Sequence, residues 1–299
     1  MSTLTASRLA PGLLLGPDVR LGENVTLGAY VVIHAGTVIG NGCTIQDGAV
    51  LGKPSLLGPR SRAPASIPGP LVLEAGASVC CGAVISASAH IGSGAVIGDH
   101  TFLRAGARIG TDTVVGHGSA IGGGVRIGDR VKLQNSVIIA PGSLLEDDVF
   151  FGPLVVVTND LTMGRHTPAG SPTGVTARRA CRVGASAVLF PGVEIGAEAV
   201  VGAGSLVPGD VASRAVVIGS PARHVRDVSE DELDRALPGL RPLALGDAEE
   251  PFEAGLVALG DAPALGVIAG GFQLAFGLSQ PLTQVADVHL VGRIRLLHQ

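Results

Sequence analysis

The sequence predicts an all-β solenoid, a prism of short parallel strands wound by a six-residue repeat, and three observations carry that prediction. An aliphatic residue returns every six positions, usually followed by Gly. Glycine reaches 45 residues and proline 19, whereas charged residues are only 15% against roughly 25% in an average globular domain. Aromatics are 3%, with no Trp and the single Tyr30, so the core must be built from Val, Ile, Leu and Ala. A disordered chain would be polar and charged. A helix could not carry Gly at almost every repeat, because each mid-helix Gly costs about 1 kcal/mol.

The repeat runs in three phases. The first takes Leu15, Leu21, Leu27, Ile33, Ile39, Ile45 and Leu51; the second runs unbroken from Leu73 through Leu103, Ile121 and Ile139 to Val157; the third takes Val183, Leu189, Ile195, Val201 and Val207. Four positions after each aliphatic lies a smaller inward residue, such as Val31, Cys43, Ala83 or Ala95, and the two between are turn formers. A hexad of strand plus corner forms one side of a prism, and three hexads close one coil. The 24 complete hexads predict about eight coils, stacked at about 4.8 Å. The phase slips twice: neither the step from Leu51 to Leu73 nor that from Val157 to Val183 is a multiple of six. Residues 53–71, rich in Pro, and 158–182, with Arg165, His166, Arg178 and Arg179, are therefore expected to leave the prism as loops, where a rigid scaffold carries binding chemistry.

The repeat ends near Asp227, dividing the chain into a solenoid, 1–227, and an extension, 228–299. Ser229 to Leu237 reads as a short capped helix closing the open end of the stack. Ala262 to Ala286 is uncharged, but Pro263, Pro281 and three Gln make it a poor membrane span; an apolar appendage is expected, of no assigned role. Met1 to Gly16 lacks the features of a signal peptide. A net charge of −4 offers no general attraction for nucleic acid or anionic lipid, and four cysteines without a spaced pair fit a reducing, cytoplasmic setting.

Stepping by whole coils sorts the outward strand residues onto three faces. One takes Val84, Phe102, Ala120, Ile138 and Val156 and is wholly apolar; a monomer should not expose such a stripe, so a trimer through this face is expected. Another takes His90, Arg108, Arg126 and Leu144, and a third Ser78, Val96, Val114, Lys132 and Phe150. The corner before the apolar face reads Cys81, Asp99, His117, Asn135 and Pro153, with Gln134 beside it. At coil spacing Asp99 can orient His117 as a general base, with Asn135 on the same cleft; alternatively these are ordinary turn residues.

These repeats, together with Asp147-Asp148-Val149-Phe150-Phe151-Gly152-Pro153, Thr158-Asn159-Asp160 and Gly219-Ser220-Pro221-Ala222-Arg223, resemble the hexapeptide-repeat acyltransferases, and within them the N-acyltransferases of nucleotide-linked amino sugars. The resemblance covers about residues 13–227 and implies a left-handed parallel β-helix working as a homotrimer, with acetyl-CoA as co-substrate, a nucleotide-sugar acceptor and no metal. His117 is the expected proton acceptor and His166, delivered by a neighbouring chain's loop, the second choice; Asn135 and Gln134 would orient the amine or the acyl oxygen. The resemblance places coenzyme A along Ala185, Ala203 and Gly204, its phosphates near Arg179 and Arg223, and substrate near Asn159 and Asp160. Either arginine can instead be a solvated charge, and Asn159 and Asp160 an Asx turn launching the loop. Some members of the group lack a dedicated base. Arg178, Arg179 and Arg182 are placed to lower the Cys181 pKa, but no base is visible beside it and it stays outside the site.

Other classes fit less well. The zinc carbonic anhydrases of this fold carry paired His five residues apart, and the partner position for His117 is Gly122. An O-acetyltransferase of the same fold, or a non-enzymatic assembly scaffold, is the remaining alternative.

Overall fold

The computed structural model describes residues 4–58, 68–165 and 173–233. Their strands form a left-handed parallel β-helix of about 10 turns. Most strands are two residues long, one pointing in and one out, and each pairs in parallel with the strand one coil further on, as Phe102–Leu103 pairs Ala120–Ile121 and then Ile138–Ile139. Three flat sheets of eleven, eleven and nine strands result, meeting at three edges.

The interior is a stack of aliphatic ladders. Ile33, Leu51, Ile85, Leu103, Ile121 and Ile139 follow one another up one wall, none more than 1% exposed. Each such burial stabilises by about 1.5–3 kcal/mol before chain entropy is charged against it. The smaller inward positions hold Ala and Val, and several hold a hydroxyl that ties coils together: Thr113 Oγ1 donates to the Gly128 carbonyl at 2.8 Å and accepts from the Val131 N–H at 3.0 Å. Among the described residues no buried side-chain polar atom lacks a partner.

Glycine serves the corners in two ways. A Cβ on Gly98 would come within 2.7 Å of the His117 nitrogen in the coil above, so the position tolerates no side chain. Gly118 is the second corner residue and has φ of 65°, a left-handed conformation that costs an L-residue roughly 1 kcal/mol or more.

The coil count exceeds the expected eight. Complete hexads number the gaps between aliphatics, and they omit strands whose inward residue is too small or lies after the last hexad. Thr176–Ala177 pairs Leu144–Leu145, and Ala215–Gly219 pairs Val200–Val201, so both belong to the helix. The second loop is accordingly shorter than 158–182: Val175 is already buried, and Arg178, Arg179 and Arg182 stand on the scaffold. The first loop leaves after Val50–Lys53 and returns at Val72–Leu73, close to the expected bounds. Both loops depart from the same edge, between the apolar face and the face of Arg108 and Arg126.

Both ends of the stack are closed by antiparallel strands rather than left as open ladders. Thr5–Ala6 pairs Leu14–Leu15 at one end, and Ala222–Asp227 folds back on Ala215–Gly219 at the other. After it, the Glu232 carboxylate accepts from the Ser229 N–H at 3.0 Å, the reciprocal half of a capping box, but the rest of the expected helix, like the apolar segment 262–286, lies outside the described residues. Among the described residues no helix is long and apolar enough to cross a membrane.

The apolar face is longer than the five positions expected. Its outward residues read Leu14, Val32, Val50, Val84, Phe102, Ala120, Ile138, Val156, Val188 and Leu206, unbroken from end to end. Phe102 and Ile138 are 40% and 46% exposed in the single chain.

Candidate functional site

The edge where the third face turns into the apolar face carries Asp47, Cys81, Asp99, His117, Asn135, Pro153, Ala185 and Ala203 in successive coils. A recurring device stabilises these corners: an Asp or Asn one coil up accepts a hydrogen bond from the corner N–H below. Asp47 Oδ1 takes the Ala29 N–H at 2.7 Å, and on the edge beyond the arginine face Asn41 takes Glu23 at 2.9 Å and Asp129 takes Thr111 at 2.7 Å.

Asp99 belongs to this set. Its Oδ1 accepts from the Cys81 N–H at 2.9 Å, so the carboxylate is spent on the coil below. It makes no hydrogen bond to His117; only its carbonyl reaches that corner, accepting from the Gly118 N–H at 2.8 Å. The series then stops. Asn135 stands where it would cap the His117 corner, yet neither Asn135, nor Gln134 beside it, nor His117 makes a side-chain hydrogen bond among the described residues, and all three are exposed. A donor–acceptor amide and an imidazole thus face solvent one coil apart, about 4.8 Å, with their full hydrogen-bonding capacity free. Above them Leu154 holds φ of 62° with its side chain 56% exposed, a strained and outward leucine that no hexad pattern signals.

Ala185, Ala203 and Gly204 lie on the same edge, Ala203 four coil steps and roughly 19 Å above His117. Arg223 sits opposite Ile218 in the terminal hairpin; it is exposed, and its guanidinium bonds only the adjacent Ala222 carbonyl, at 3.0 Å.

Other expected site residues are placed elsewhere. Arg179 is on a different edge, across the third face, where its N–H donates to Glu146 at 2.9 Å and its Nε lies 3.4 Å from Asp148. Asn159 and Asp160 open the second loop on the far side of the apolar face. Asp160 Oδ1 accepts from the Thr162 N–H at 2.7 Å and hydroxyl at 2.6 Å, and Oδ2 from the Gly164 N–H at 2.8 Å, an Asx turn that shapes the loop. His166 lies outside the described residues.

The arginines near Cys181 do not activate it. The thiol is buried and pushed up to about 12, because desolvation outweighs the pull of Arg182. Arg178 instead spans Glu146 at 2.9 Å and Glu194 at 2.7 Å. Arg130 holds Asp148 at 2.7 Å, which keeps that carboxyl below its usual range. Among the described residues no group of three or more His, Cys, Asp or Glu is arranged to hold a metal ion.

Comparison with known proteins agrees with the repeat. Residues 18–53 match the family model described as bacterial transferase hexapeptide (six repeats), and 106–141 and 180–207 match that of the hexapeptide repeat of succinyl-transferase. A 2,3,4,5-tetrahydropyridine-2,6-dicarboxylate N-acetyltransferase of Clostridium perfringens is 45% identical over 53 residues, 18% of this chain and 22% of that one. The match therefore spans about a fifth of the length of that relative. Among solved structures, a hexapeptide-repeat acetyltransferase from Vibrio cholerae is 27% identical with a TM-score of 0.36, over 41% of this chain and 74% of its own. A GDP-perosamine N-acetyl transferase from Caulobacter crescentus, solved with CoA and GDP-perosamine, is 21% identical with a TM-score of 0.35, over 53% and 70%.

Proposed function

We propose that this hexapeptide-repeat protein is an acyltransferase moving an acetyl group from acetyl-CoA to the amino group of a nucleotide-linked amino sugar, and that it works as a homotrimer. The observation that carries the reading is that Asn135 and His117 stand exposed and without side-chain hydrogen bonds on the edge where Asp47 and Asp99 cap the corners below them. The matches to transferase repeat models and to an N-acetyltransferase segment support the reaction class.

Acyl transfer from a thioester needs a neutral nucleophile, donors for the oxyanion, and a track for the long carrier. In this reading His117 takes the proton from the acceptor amine as it attacks the thioester carbonyl, and CoA leaves as the thiol after collapse of the tetrahedral intermediate. Asn135 and Gln134 hold the amine or the acyl oxygen, and corner N–H groups serve the oxyanion. The pantetheine arm runs up the edge past Ala185, Ala203 and Gly204, whose small side chains let it approach the backbone. Arg223 then meets a CoA phosphate through a charge-assisted pair. Arg179 stands on a different edge, across the third face from this track, so its contribution is the smaller.

Trimer formation through the apolar face completes the site. Packing three such faces about an axis sets the loop-bearing edge of one protomer beside the His117 edge of the next. Asn159 and Asp160 then approach His117 from the neighbour, and the exposed edge becomes a cleft. An O-acetyltransferase is the second reading, favoured by the same free imidazole, because a hydroxyl acceptor needs a base more than an amine does.

Turnover of acetyl-CoA with nucleotide amino sugars, and with hydroxyl acceptors in parallel, tests the assignment. His117→Ala is expected to lower kcat by about 10²–10⁴ with little change in KM for acetyl-CoA, and to abolish the acidic limb of kcat/KM. Wild-type kcat with an unchanged limb would leave the base to His166 or to the amine itself. No turnover with any acceptor would favour the scaffold.

A further inference from the structure

We propose that Arg108 and Arg126 form a second anion site, on the face adjoining the loop-bearing edge, that takes the diphosphate of an organic phosphate ester. The two arginines are direct partners in parallel register, with His90 the next partner below. Their Cα atoms are therefore about 4.8 Å apart, and both guanidinium groups rise from the same exposed surface. Like charges directly opposite one another on a sheet are destabilising.

Several arginines elsewhere are answered by carboxylates, whereas Arg8, Arg20, Arg104 and Arg223 have no ion pair among the described residues but stand singly rather than stacked. Arg130 is paired with Asp148 at 2.7 Å, Arg178 with Glu194 at 2.7 Å, Arg214 with Glu198 at 3.0 Å and Arg226 with Glu232 at 2.6 Å. Arg108 and Arg126 make no ion pair or side-chain hydrogen bond among the described residues. The acids nearby are already committed. Glu74 accepts from His90 Nε2 at 2.7 Å and from Ser93 Oγ at 2.9 Å, Glu146 is held by Arg178 and by the Arg179 N–H, and Asp147 accepts from the Asp129 N–H at 2.9 Å and lies 3.4 Å from Arg130. Nor does the first loop supply a counter-charge: residues 59–67 hold Arg60 and Arg62 and no Asp or Glu.

The surface is also concave on both sides of the pair. A hollow of about 400 Å³ lies toward the first loop, walled by Pro68, Pro70, Ser88 and His90. A second, of about 520 Å³, lies toward Leu144, with Glu146, Asp147 and Arg179 on its far side, and Arg108 and Arg126 line both. Two guanidinium forks one coil apart suit two linked phosphoryl groups, each bound bidentately, better than a single point charge. The flanking proline wall and Leu144 offer apolar surface to the organic remainder. This face is neither the apolar face nor the His117 edge, and although Arg179 borders the second hollow, Arg108 and Arg126 themselves have no part in the proposed acetyl transfer.

The test titrates pyrophosphate and uridine diphosphate into the full chain, without acetyl-CoA, following calorimetric heat and melting temperature, with NaCl at matched ionic strength as the control. Saturable binding of both is expected, tighter for the nucleotide. In R108Q/R126Q the affinity should fall at least tenfold, while Arg223→Gln should retain it. Both side chains point outward, so the double variant should melt no lower than the wild type in the absence of anion, and R126Q alone gives an intermediate affinity. Pyrophosphate binding without a gain for the nucleotide would reduce the site to one for inorganic phosphates and overturn the organic assignment. A response matched by NaCl, or retained in R108Q/R126Q, would overturn the site itself. Acetyl transfer by R108Q/R126Q is expected to be unchanged, which keeps this outcome distinct from that of the catalytic reading.

Discussion

Asp99 and Asn135 occupy equivalent corners two coils apart; Asp99 caps the coil below, and in the proposed reading Asn135 contacts the acceptor, so substituting each by Ala should separate stability from turnover. Asp99→Ala deletes the 2.9 Å acceptor of the Cys81 N–H. The lost bond is charge-assisted but lies at an exposed corner, where Gln46 Oε1 at 3.2 Å remains as a second acceptor for the same N–H, so the loss should cost at most about 1 kcal/mol. For a chain of this size that is a fall in melting temperature of at most roughly 2–4 °C. Asp99→Asn keeps an oxygen at Oδ1 and should recover most of the loss. Asn135→Ala removes no internal hydrogen bond, so its melting temperature should stay within about 1 °C of wild type, the usual result for a surface change without partners. Its kcat/KM should nevertheless fall by roughly 10–100-fold, the cost of about 1.4–2.7 kcal/mol of contact with the acceptor. Thermal unfolding by circular dichroism and release of the CoA thiol, measured on the same samples, give both readouts. Should Asp99→Ala leave the melting curve unmoved while removing turnover and shifting the acidic limb, the carboxylate serves His117 rather than Cys81, and the structural assignment fails.

Ile138→Glu places a charge in the middle of the apolar face and should convert a trimer of 29.9 kDa chains to monomers in light scattering; a wild-type monomer would refute the interface. Asp148 is held below its usual range chiefly by Arg130, so its contribution is complete above the unfolded carboxyl pKa, near 3.9, and is lost as pH falls through the lower folded value. Asp148→Asn should therefore cost about 0.5–1 kcal/mol at pH 7, with the deficit closing below about pH 4, in denaturant titrations across pH. Cys181, buried with its thiol pushed up to about 12, should resist iodoacetamide in the native protein and react only on unfolding, as peptide mapping would show.

The repeat makes the fold legible because a period of six with glycine corners admits few other conformations. Register follows as well: stepping by whole coils sorts Val84, Phe102, Ala120 and Ile138 onto one face, as the strand pairing has it. What the arithmetic misses are positions that satisfy the geometry without an aliphatic signature. Ala177 fills an inward site with a single methyl group, so the second loop reads too long in the sequence. Columns along an edge are also legible, but not which neighbour a side chain chooses. Asp99 can bond the coil above or below, and the N–H of Cys81 wins because a backbone donor in a fixed corner needs no side-chain ordering. The place of Arg179 in the chain suggests the carrier, while its edge and its Asp148 partner are properties of three-dimensional packing.

The constant one-coil separation between paired strands gives this all-β chain an unusual folding economy. Its relative contact order is on the order of 0.08, in the range of helical bundles rather than of sandwiches, because every ladder joins near neighbours in sequence. Even where the loops intervene, from Val38 to Val72 and from Leu144 to Thr176, the closure grows to less than twice that of a plain coil. Formation should therefore propagate like a zipper from whichever coils associate first, each new turn closing on the last at nearly the same entropic cost. Unfolding should fray inward from the two terminal strands, and a break within either loop should leave the coils on both sides still paired.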